Sequence, residues 1–312
     1  MPKPRILFMG TPPFAVPALE GLVRSGYPVI GVVTQPDRPQ GRGRGVAPPP
    51  VKLLAKSLGL TVLQPEKVRT PDFLETFCRL APDLVVVAAF GQILPGEIIH
   101  GSREGCINIH PSLLPKYRGA APINWALIHG EEKTGVTIMR MDDGVDSGDI
   151  LLQEETPIGE QETFGMLHDR LANMGAELLL KALAKLETVT LQPRLQDHRL
   201  ATMAPRLSPE DGLIRWDSDA NTIVALIRGL SPAPSAFTFL GGKKLKIFLA
   251  TAETAVVPEA PGTVAGETAV GLRVAAGSGY VLLREVQLEG RKRLAARDFL
   301  RGFRIDPGQV LG

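Results

Sequence analysis

The sequence predicts an α/β protein with a Rossmann-like, mostly parallel sheet and a second, smaller C-terminal β-barrel domain of the OB-like kind. Short apolar segments alternate with helical segments up to about residue 187, which is typical of strands buried on both faces of a parallel sheet. From residue 208 onward, short strand-like segments follow one another closely between glycine-rich turns, which favours a small barrel. A chain of 312 residues is also long for a single core. We therefore predict a large domain over residues 1–187, a linker over 188–207 and a C-terminal domain over 208–312.

The chain opens with a strand, a helix and a second strand. The apolar segment Arg5–Gly10 predicts a buried strand, and Thr11 is suited to cap the helix that follows. That helix ends near Gly26, and a second apolar strand is predicted at Val29–Thr34. The turn after the first strand lacks the G-x-G-x-x-G spacing, so a dinucleotide site is not expected.

A basic segment, Gln35–Pro50, interrupts this alternation. It is rich in glycine, proline and arginine, which predicts a loop without regular structure. Two interpretations stay open here: a solvated surface loop, or a contact for a polyanion, because arginine side chains match phosphate geometry.

The remaining elements follow from apolar runs and helical periodicity. In the first domain we predict helices over 51–58, 72–80, a short segment ending at 100, 119–130 and 163–186, and strands over 61–63, 84–90, 106–110, 135–141 and 150–153. In the second domain we predict a helix over 220–229 and strands over 235–239, 244–249, 262–265, 272–275 and 280–287.

Composition excludes several classes of protein. The net charge is +2, which is too small to indicate a nucleic-acid partner by itself. No apolar run is long enough to cross a bilayer and no signal peptide is recognisable, so no membrane contact is expected. The two cysteines offer neither a disulfide framework nor a metal-ligand spacing, which favours a cytoplasmic protein without a metal.

Three polar residues are predicted to meet at one edge of the sheet. Asn108 and His110 alternate with isoleucines, so both side chains point to the same face near the carboxyl end of a strand. Ligands bind at that edge of open α/β sheets. Asp146 lies in an acidic, glycine-containing loop over residues 142–149, whose spacing does not match a calcium-binding loop.

The chemistry expected of this trio depends on whether a nucleophilic side chain accompanies it. An Asn-x-His pair and an acidic turn are each commonly structural, and that interpretation stays open for each alone. No G-x-S-x-G motif is present. An amide, an imidazole and a carboxylate without a nucleophile suit direct acyl transfer between two bound substrates, with Asn108 and His110 donating hydrogen bonds to a developing oxyanion.

Longer motifs connect these residues to a known family. SLLPKYRG follows the Asn-Ile-His sequence, and GVDSGDI, GTPPFAVPAL, TQPDRPQGRGRG, AFGQILP and GAAPINWALIHG occur around it. In these motifs the chain resembles the folate-dependent formyltransferases, and within them the members that act on methionyl initiator tRNA. The resemblance implies that the formyl group of 10-formyltetrahydrofolate is transferred to the α-amino group of methionyl-tRNA for translation initiation.

The resemblance also implies roles for individual residues. Asn108, His110 and Asp146 would be catalytic, and Arg42 and Arg44 would lie on a loop that contacts the tRNA. The C-terminal domain would hold the tRNA backbone, and the protein would act as a monomer. The residues implied in folate binding are Ser112, Leu113, Leu114, Pro115, Phe90, Gln92, Leu94 and Asp142.

Three alternatives remain from the sequence. The same catalytic residues suit formylation of an amino sugar nucleotide or hydrolysis of formyltetrahydrofolate, and an RNA-binding module without catalysis belongs to another class. The basic loop and the lysines and arginines near residues 243–246 and 291–297 favour tRNA, because a small substrate needs neither.

Overall fold

A computed structural model of the chain describes residues 3–40, 45–188 and 190–312. The chain divides into two compact units. Unit 1 comprises Met1–Gly119, Thr134–Pro157 and His168–Met203. Unit 2 comprises Ala120–Lys133, Ile158–Leu167 and Ala204–Gly312. Within the described part of the chain, no helix is both long enough and apolar enough to span a membrane.

A seven-stranded sheet forms the centre of unit 1. The described residues up to Pro157 form nine strands: β1 (Ile6–Gly10), β2 (Val29–Val33), β3 (Arg38–Gln40), β4 (Gly45–Ala47), β5 (Val62–Leu63), β6 (Leu84–Ala88), β7 (Cys106–His110), β8 (Lys133–Arg140) and β9 (Ile150–Pro157). The strand order in the large sheet is β5-β2-β1-β6-β7-β8-β9. Strand β1 pairs parallel with β2 and β6, β6 pairs parallel with β7, and β7 pairs antiparallel with β8. The predicted Rossmann-like, mostly parallel sheet is therefore confirmed.

The central strands explain the apolar runs in the sequence. Every residue of β1 and of β6 is buried, because these strands have a neighbour on either side and other elements covering both faces. Helices connect the strands, and four of them have a proline at the first or second position, where its missing N–H costs no hydrogen bond. The helices are α1 (Val16–Arg24), α2 (Pro50–Ser57), α3 (Pro71–Leu80), α4 (Gly96–Ile99), α5 (Pro122–Ile128) and α6 (Phe164–Glu187).

The basic segment is more regular than its sequence predicts. Strands β3 and β4 pair antiparallel, with Arg38 opposite Ala47, so the prediction of a loop without regular structure is wrong for these residues. The pairing uses main-chain groups, which the glycine- and proline-rich side-chain pattern does not reveal. The predicted tRNA-contacting residues Arg42 and Arg44 lie outside the described residues.

Unit 2 is built on an antiparallel sheet. Its elements beyond residue 203 are α7 (Ala220–Leu230), β10 (Ala236–Leu240), β11 (Lys243–Glu253), β12 (Val264–Thr268), β13 (Gly271–Ala275), β14 (Tyr280–Leu288), β15 (Leu294–Ala295) and α8 (Ala296–Gly302). The strand order is β10-β11-β14-β13-β12, and β15 pairs with β14. All five predicted strands are present, whereas the short β15 and the helix α8 were not predicted. Trp216, Ile227 and Leu283 belong to the buried core of this unit.

The segment predicted to be a linker contributes residues 190–203 to unit 1. Arg194 forms an antiparallel bridge with Ile150, and Met203 forms a parallel bridge with Arg118. Its main chain is therefore hydrogen-bonded at Ile150, directly after the loop that carries Asp146, and at Arg118.

Candidate active site

Two polar residues, separated by one isoleucine, lie at the carboxyl end of β7. Ile107 and Ile109 are buried in the sheet, while Asn108 is half-buried, as the period-2 alternation predicts. Asn108 pairs in register with Val87 of β6. The next polar position, His110, is 3% exposed.

Asp146 meets both of these residues. Its Oδ2 lies 3.6 Å from Nδ1 of His110, and its Oδ1 lies 3.4 Å from Nδ2 of Asn108, which donates to it. The side chains of His110 and Asp146 are 4% and 16% exposed. The structure thus brings the three predicted catalytic residues together from a strand and a separate loop.

The orientation of His110 is set by a main-chain carbonyl. Its Nε2 lies 2.9 Å from the carbonyl oxygen of Tyr117, which only accepts hydrogen bonds, so Nε2 carries a proton. The other ring nitrogen, Nδ1, therefore faces Asp146. Fixing one nitrogen in this way determines which atom is available to the reacting groups.

The loop that carries Asp146 is tightly folded. Asp146 has a φ of +48°, in the left-handed region that side chains other than glycine rarely adopt. The main-chain N–H of Gly119 donates to its Oδ2 at 2.8 Å. At Gly148, a Cβ atom would lie 2.0 Å from the carbonyl oxygen of Arg140, so only glycine fits there without a shift.

The predicted folate-binding loop, Ser112–Pro115, is held by side chains of β8 and β9. Thr137 donates from Oγ1 to the carbonyl oxygen of Ser112 at 2.7 Å. Gln153 donates from Nε2 to the carbonyl oxygen of Leu114 at 3.0 Å and to Thr137 Oγ1 at 2.8 Å. The hydroxyl of Ser112 donates to the carbonyl oxygen of Lys116 at 2.7 Å. Side chains on neighbouring strands thus fix the shape of this loop.

The other predicted folate residues follow β6 or lie in the acidic loop. Phe90 and Leu94 are buried in the core of unit 1. Gln92 accepts a hydrogen bond from the main-chain N–H of Val68 at 3.0 Å. The carboxylate of Asp142 accepts from the hydroxyl of Ser147 at 2.8 Å. The side-chain polar groups of Gln92 and Asp142 therefore form hydrogen bonds within the protein.

Cys106 begins the same strand as Asn108 and is fully buried. Burial raises the pKa of its thiol, because an apolar environment disfavours the thiolate. A thiol in this state is a poor nucleophile, which agrees with acyl transfer that needs no covalent enzyme intermediate. No group of three or more metal-ligating side chains occurs in residues 3–40, 45–188 and 190–312.

Sequence reasoning missed the residues that support the trio. Tyr117 and Gly119 contact His110 and Asp146 through main-chain atoms, which leave no trace in residue type. Thr137 lies within a run of buried residues in β8, so neither its residue type nor its position distinguished it. Gln196 donates to the carbonyl oxygens of Asp146 and Gly148 from a stretch without periodicity, so no local pattern singled it out.

Comparisons with known proteins identify relatives along most or all of the chain. The formyl transferase family matches residues 4–183, and the formyl transferase C-terminal domain matches residues 206–304. The methionyl-tRNA formyltransferase of Syntrophus aciditrophicus is 59% identical over 312 residues, which covers all of both chains. That of Citrifermentans bemidjiense is 51% identical and covers 99% of this chain and 96% of its own. The crystal structure of HypX from Aquifex aeolicus with tetrahydrofolic acid shares the fold, with a TM-score of 0.64 and 19% identity, and the match covers 96% of this chain and 47% of HypX.

Proposed function

The chain belongs to the formyl transferase family, among its methionyl-tRNA formyltransferases, and on that basis we propose how its own residues carry out the reaction. It transfers the formyl group of 10-formyltetrahydrofolate to the α-amino group of methionyl initiator tRNA, giving N-formylmethionyl-tRNA.

The observation that carries the mechanism is the convergence of Asn108, His110 and Asp146. The neutral α-amine attacks the formyl carbon, a C–N bond forms, and the formyl oxygen becomes an oxyanion. An α-amino group has an ordinary pKa of about 8, so some neutral amine is available at pH 7. Asn108 donates from Nδ2 to that oxyanion, and the hydrogen bond strengthens as negative charge develops.

Proton transfer completes the reaction. The attacking nitrogen loses a proton to Asp146, directly or through a water, and the proton passes to N10 of the folate. The bond between the formyl carbon and N10 then breaks, and its electron pair stays on N10. The products are the formylated amine and tetrahydrofolate, so every proton and electron pair is accounted for.

His110 supports two of these steps. Because Nε2 is bonded to Tyr117, it is Nδ1 that faces Asp146 and the reacting groups. When the ring is an imidazolium, with protons on both nitrogens, Nδ1 donates a hydrogen bond to the oxyanion or to the carboxylate of Asp146 and so stabilises their negative charge.

The formyl donor is assigned to the same edge of the sheet. The hydrogen-bond donors of the trio suit the oxygen of a formyl group. We assign the pterin to the segment Phe90–Leu94 and to Asp142, and the adjoining part of the folate to Ser112–Pro115. The bonds from Thr137 and Gln153 support this assignment, because they preset the shape of the Ser112–Pro115 loop before the folate binds.

The tRNA is assigned to basic residues outside the trio. Arg42 and Arg44 on the basic segment would contact the acceptor end, and the C-terminal domain over residues 208–312 would hold the phosphate backbone. We assign catalysis to the domain over residues 1–187; of the predicted linker over 188–207, residues 190–203 lie in the same unit. We further propose that the protein is monomeric and cytoplasmic, where charged initiator tRNA is found.

One assay tests the proposed activity. The protein is given 10-formyltetrahydrofolate with methionyl initiator tRNA, with an amino sugar nucleotide, or with water alone, and formylated product and tetrahydrofolate are measured. We expect formyl transfer to methionyl-tRNA at a rate at least 10²-fold above either alternative, since interactions specific to one acceptor contribute this much discrimination. Equal tetrahydrofolate release without an acceptor would contradict it.

A further inference from the structure

Arg118 and Gln196 form a buried polar pair that the mechanism above does not use. They are 8% and 6% exposed. Arg118 donates to Oε1 of Gln196 from Nε at 3.2 Å and from Nη2 at 2.7 Å. Nη2 of Arg118 also lies 3.1 Å from Nδ1 of His198. Burying a guanidinium is unfavourable unless its hydrogen bonds are satisfied, so this pair has a structural cost that needs a reason.

The amide group of Gln196 reaches the loop that carries Asp146. Its Nε2 donates to the carbonyl oxygen of Asp146 at 2.9 Å and to that of Gly148 at 2.6 Å. Both amide protons therefore hold main-chain carbonyls on either side of Ser147. Asp146 has an unfavourable positive φ, and the two hydrogen bonds from Gln196 help to hold its main chain in that conformation.

Arg118 determines which way the amide faces. A guanidinium only donates hydrogen bonds, so it selects the oxygen of the Gln196 amide and turns the nitrogen toward the loop. A charged donor also polarises the amide, which strengthens the bonds that its nitrogen donates. Arg118 thus strengthens, through the Gln196 amide, the hydrogen bond to the main-chain carbonyl of Asp146.

The neighbours of Arg118 hold the trio directly. The carbonyl oxygen of Tyr117 binds His110, and the N–H of Gly119 binds Asp146. Both contacts depend on the position of the segment Tyr117–Gly119, and Thr202 fixes that position. Oγ1 of Thr202 accepts from the N–H of Tyr117 at 2.9 Å, and the carbonyl oxygen of Thr202 accepts from the N–H of Arg118 at 2.9 Å. The segment 194–203 therefore supports the catalytic carboxylate through Gln196 and the imidazole through Thr202.

We propose that Gln196 is a positioning residue for formyl transfer. Its amide, oriented by Arg118, holds the loop so that the carboxylate of Asp146 faces His110. This inference rests on the proposed function, because it assumes that Asp146 acts in proton transfer. It predicts that loss of the amide affects turnover more than substrate binding, since the carboxylate is displaced while the folate and tRNA contacts remain.

The test compares Gln196→Met, Gln196→Glu and a control, Arg5→Met. Met keeps the volume but loses every hydrogen bond, and Glu keeps the acceptor for Arg118 but loses both donors to the loop. Arg5 likewise donates two bonds to main-chain carbonyls, those of Ala81 and Leu80 at 3.0 Å, beside the amino end of β1. With 10-formyltetrahydrofolate and methionyl-tRNA, we expect kcat to fall about 10- to 100-fold in both Gln196 variants, with either KM changed by less than about threefold. Arg5→Met should keep the wild-type kcat.

A double-mutant cycle separates positioning from general destabilisation. If Gln196 acts through Asp146, the double variant Asp146→Asn/Gln196→Met has the same kcat as Asp146→Asn alone. Should Gln196→Met fail to fold, the cycle is run with Gln196→Asn, whose shorter amide should give a smaller loss of kcat. Losses that multiply in the double variant, or a folded Gln196→Met variant with wild-type kcat, would overturn the inference and leave the proposed function intact. An Asp146→Asn variant with wild-type kcat would overturn the proposed mechanism, and this inference with it.

Discussion

Nδ1 of His110 and Oδ2 of Asp146 face each other at 3.6 Å, although the two residues belong to different elements of unit 1. That separation is longer than a good hydrogen bond and leaves the carboxylate within reach of a proton arriving from a substrate. Main-chain groups hold each partner: the Tyr117 carbonyl accepts from Nε2 of the imidazole, and the Gly119 N–H donates to Oδ2 of the carboxylate. The orientations of the imidazole and the carboxylate are therefore fixed before a substrate binds beside them.

Gly148→Ala is expected to displace the loop that carries Asp146. A Cβ atom at this position would lie 2.0 Å from the main-chain oxygen of Arg140, which cannot move without disturbing β8. We expect a free energy of unfolding lower by about 1–3 kcal/mol and a kcat lower by roughly 10- to 100-fold. Gly277→Ala is the matched control in unit 2, since its Cβ would lie 2.0 Å from the carbonyl oxygen of Asp217. A similar kcat for the two variants would contradict the prediction.

Thr137→Val is expected to weaken folate binding. The change keeps the side-chain shape but removes the hydroxyl that binds the Ser112 carbonyl and accepts from Gln153. We expect stability to fall by about 1–3 kcal/mol and KM for 10-formyltetrahydrofolate to rise roughly tenfold. The measurements are chemical denaturation and initial rates at varied folate concentration.

Thr238→Val is the control for that variant. Thr238 is a fully buried residue of unit 2 whose hydroxyl accepts from Nε1 of Trp216 at 3.0 Å. It should lose comparable stability with an unchanged KM for folate. If both variants raise this KM equally, the Ser112–Pro115 loop is not the site of the effect.

Asp37 is expected to make the stability of unit 1 sensitive to acid. Hydrogen bonds from Gln64 and then from Lys52 hold the pKa of this carboxyl below its ordinary value. The folded-state pKa of this carboxyl is lower than its unfolded-state pKa, which is about 3.9. The ionised carboxylate therefore stabilises the fold at pH values above the unfolded-state pKa, and this stabilisation is lost as pH falls through the folded-state pKa. Asp37→Asn should therefore have a lower Tm than the wild type at pH 7, and the Tm difference should shrink as pH falls below the unfolded-state pKa. A Tm difference that is constant with pH would contradict this.

Arg42→Ala is expected to weaken the use of tRNA without affecting folate. Removing one phosphate contact should raise KM for methionyl-tRNA, most strongly at low salt, and reduce the slope of log KM against log salt concentration by roughly one. Arg103→Ala is a suitable control, because this exposed arginine, after α4, pairs with Glu104 at 3.2 Å. An unchanged salt slope in Arg42→Ala would remove this residue from the tRNA contact.

The sequence predicted the parts of the site that depend on periodicity. Asn108 and His110 share a face because strand side chains alternate, and their place at the sheet edge follows from the order of strands and helices. Asp146 was also predicted to join them, but strand order alone does not explain its position, because β8 runs antiparallel to β7 and Arg140, at its carboxyl end, lies opposite Ile107. The sheet and the five strands of the second unit followed from the same reasoning.

The supporting contacts were not predictable in this way. Gln196 lies 50 residues from Asp146 in a stretch without periodic pattern, and its bonds are to main-chain oxygens, which every residue has. The pairing of β3 with β4 also uses main-chain groups alone. Residue types therefore revealed the reacting groups, whereas their orientation depends on long-range contacts that only the fold specifies.

The central claim is that the imidazole of His110 acts on the formyl group together with Asn108 and Asp146. It is tested most directly by the single-turnover rate of formyl transfer to methionyl-tRNA in His110→Ala, with enzyme and folate saturating and with the exposed His129→Ala variant as control. We expect the rate to fall roughly 10²–10³-fold in His110→Ala, the usual loss for a missing oxyanion donor, with folate affinity and fold retained. A folded His110→Ala variant that transfers the formyl group within threefold of the wild-type rate would contradict it.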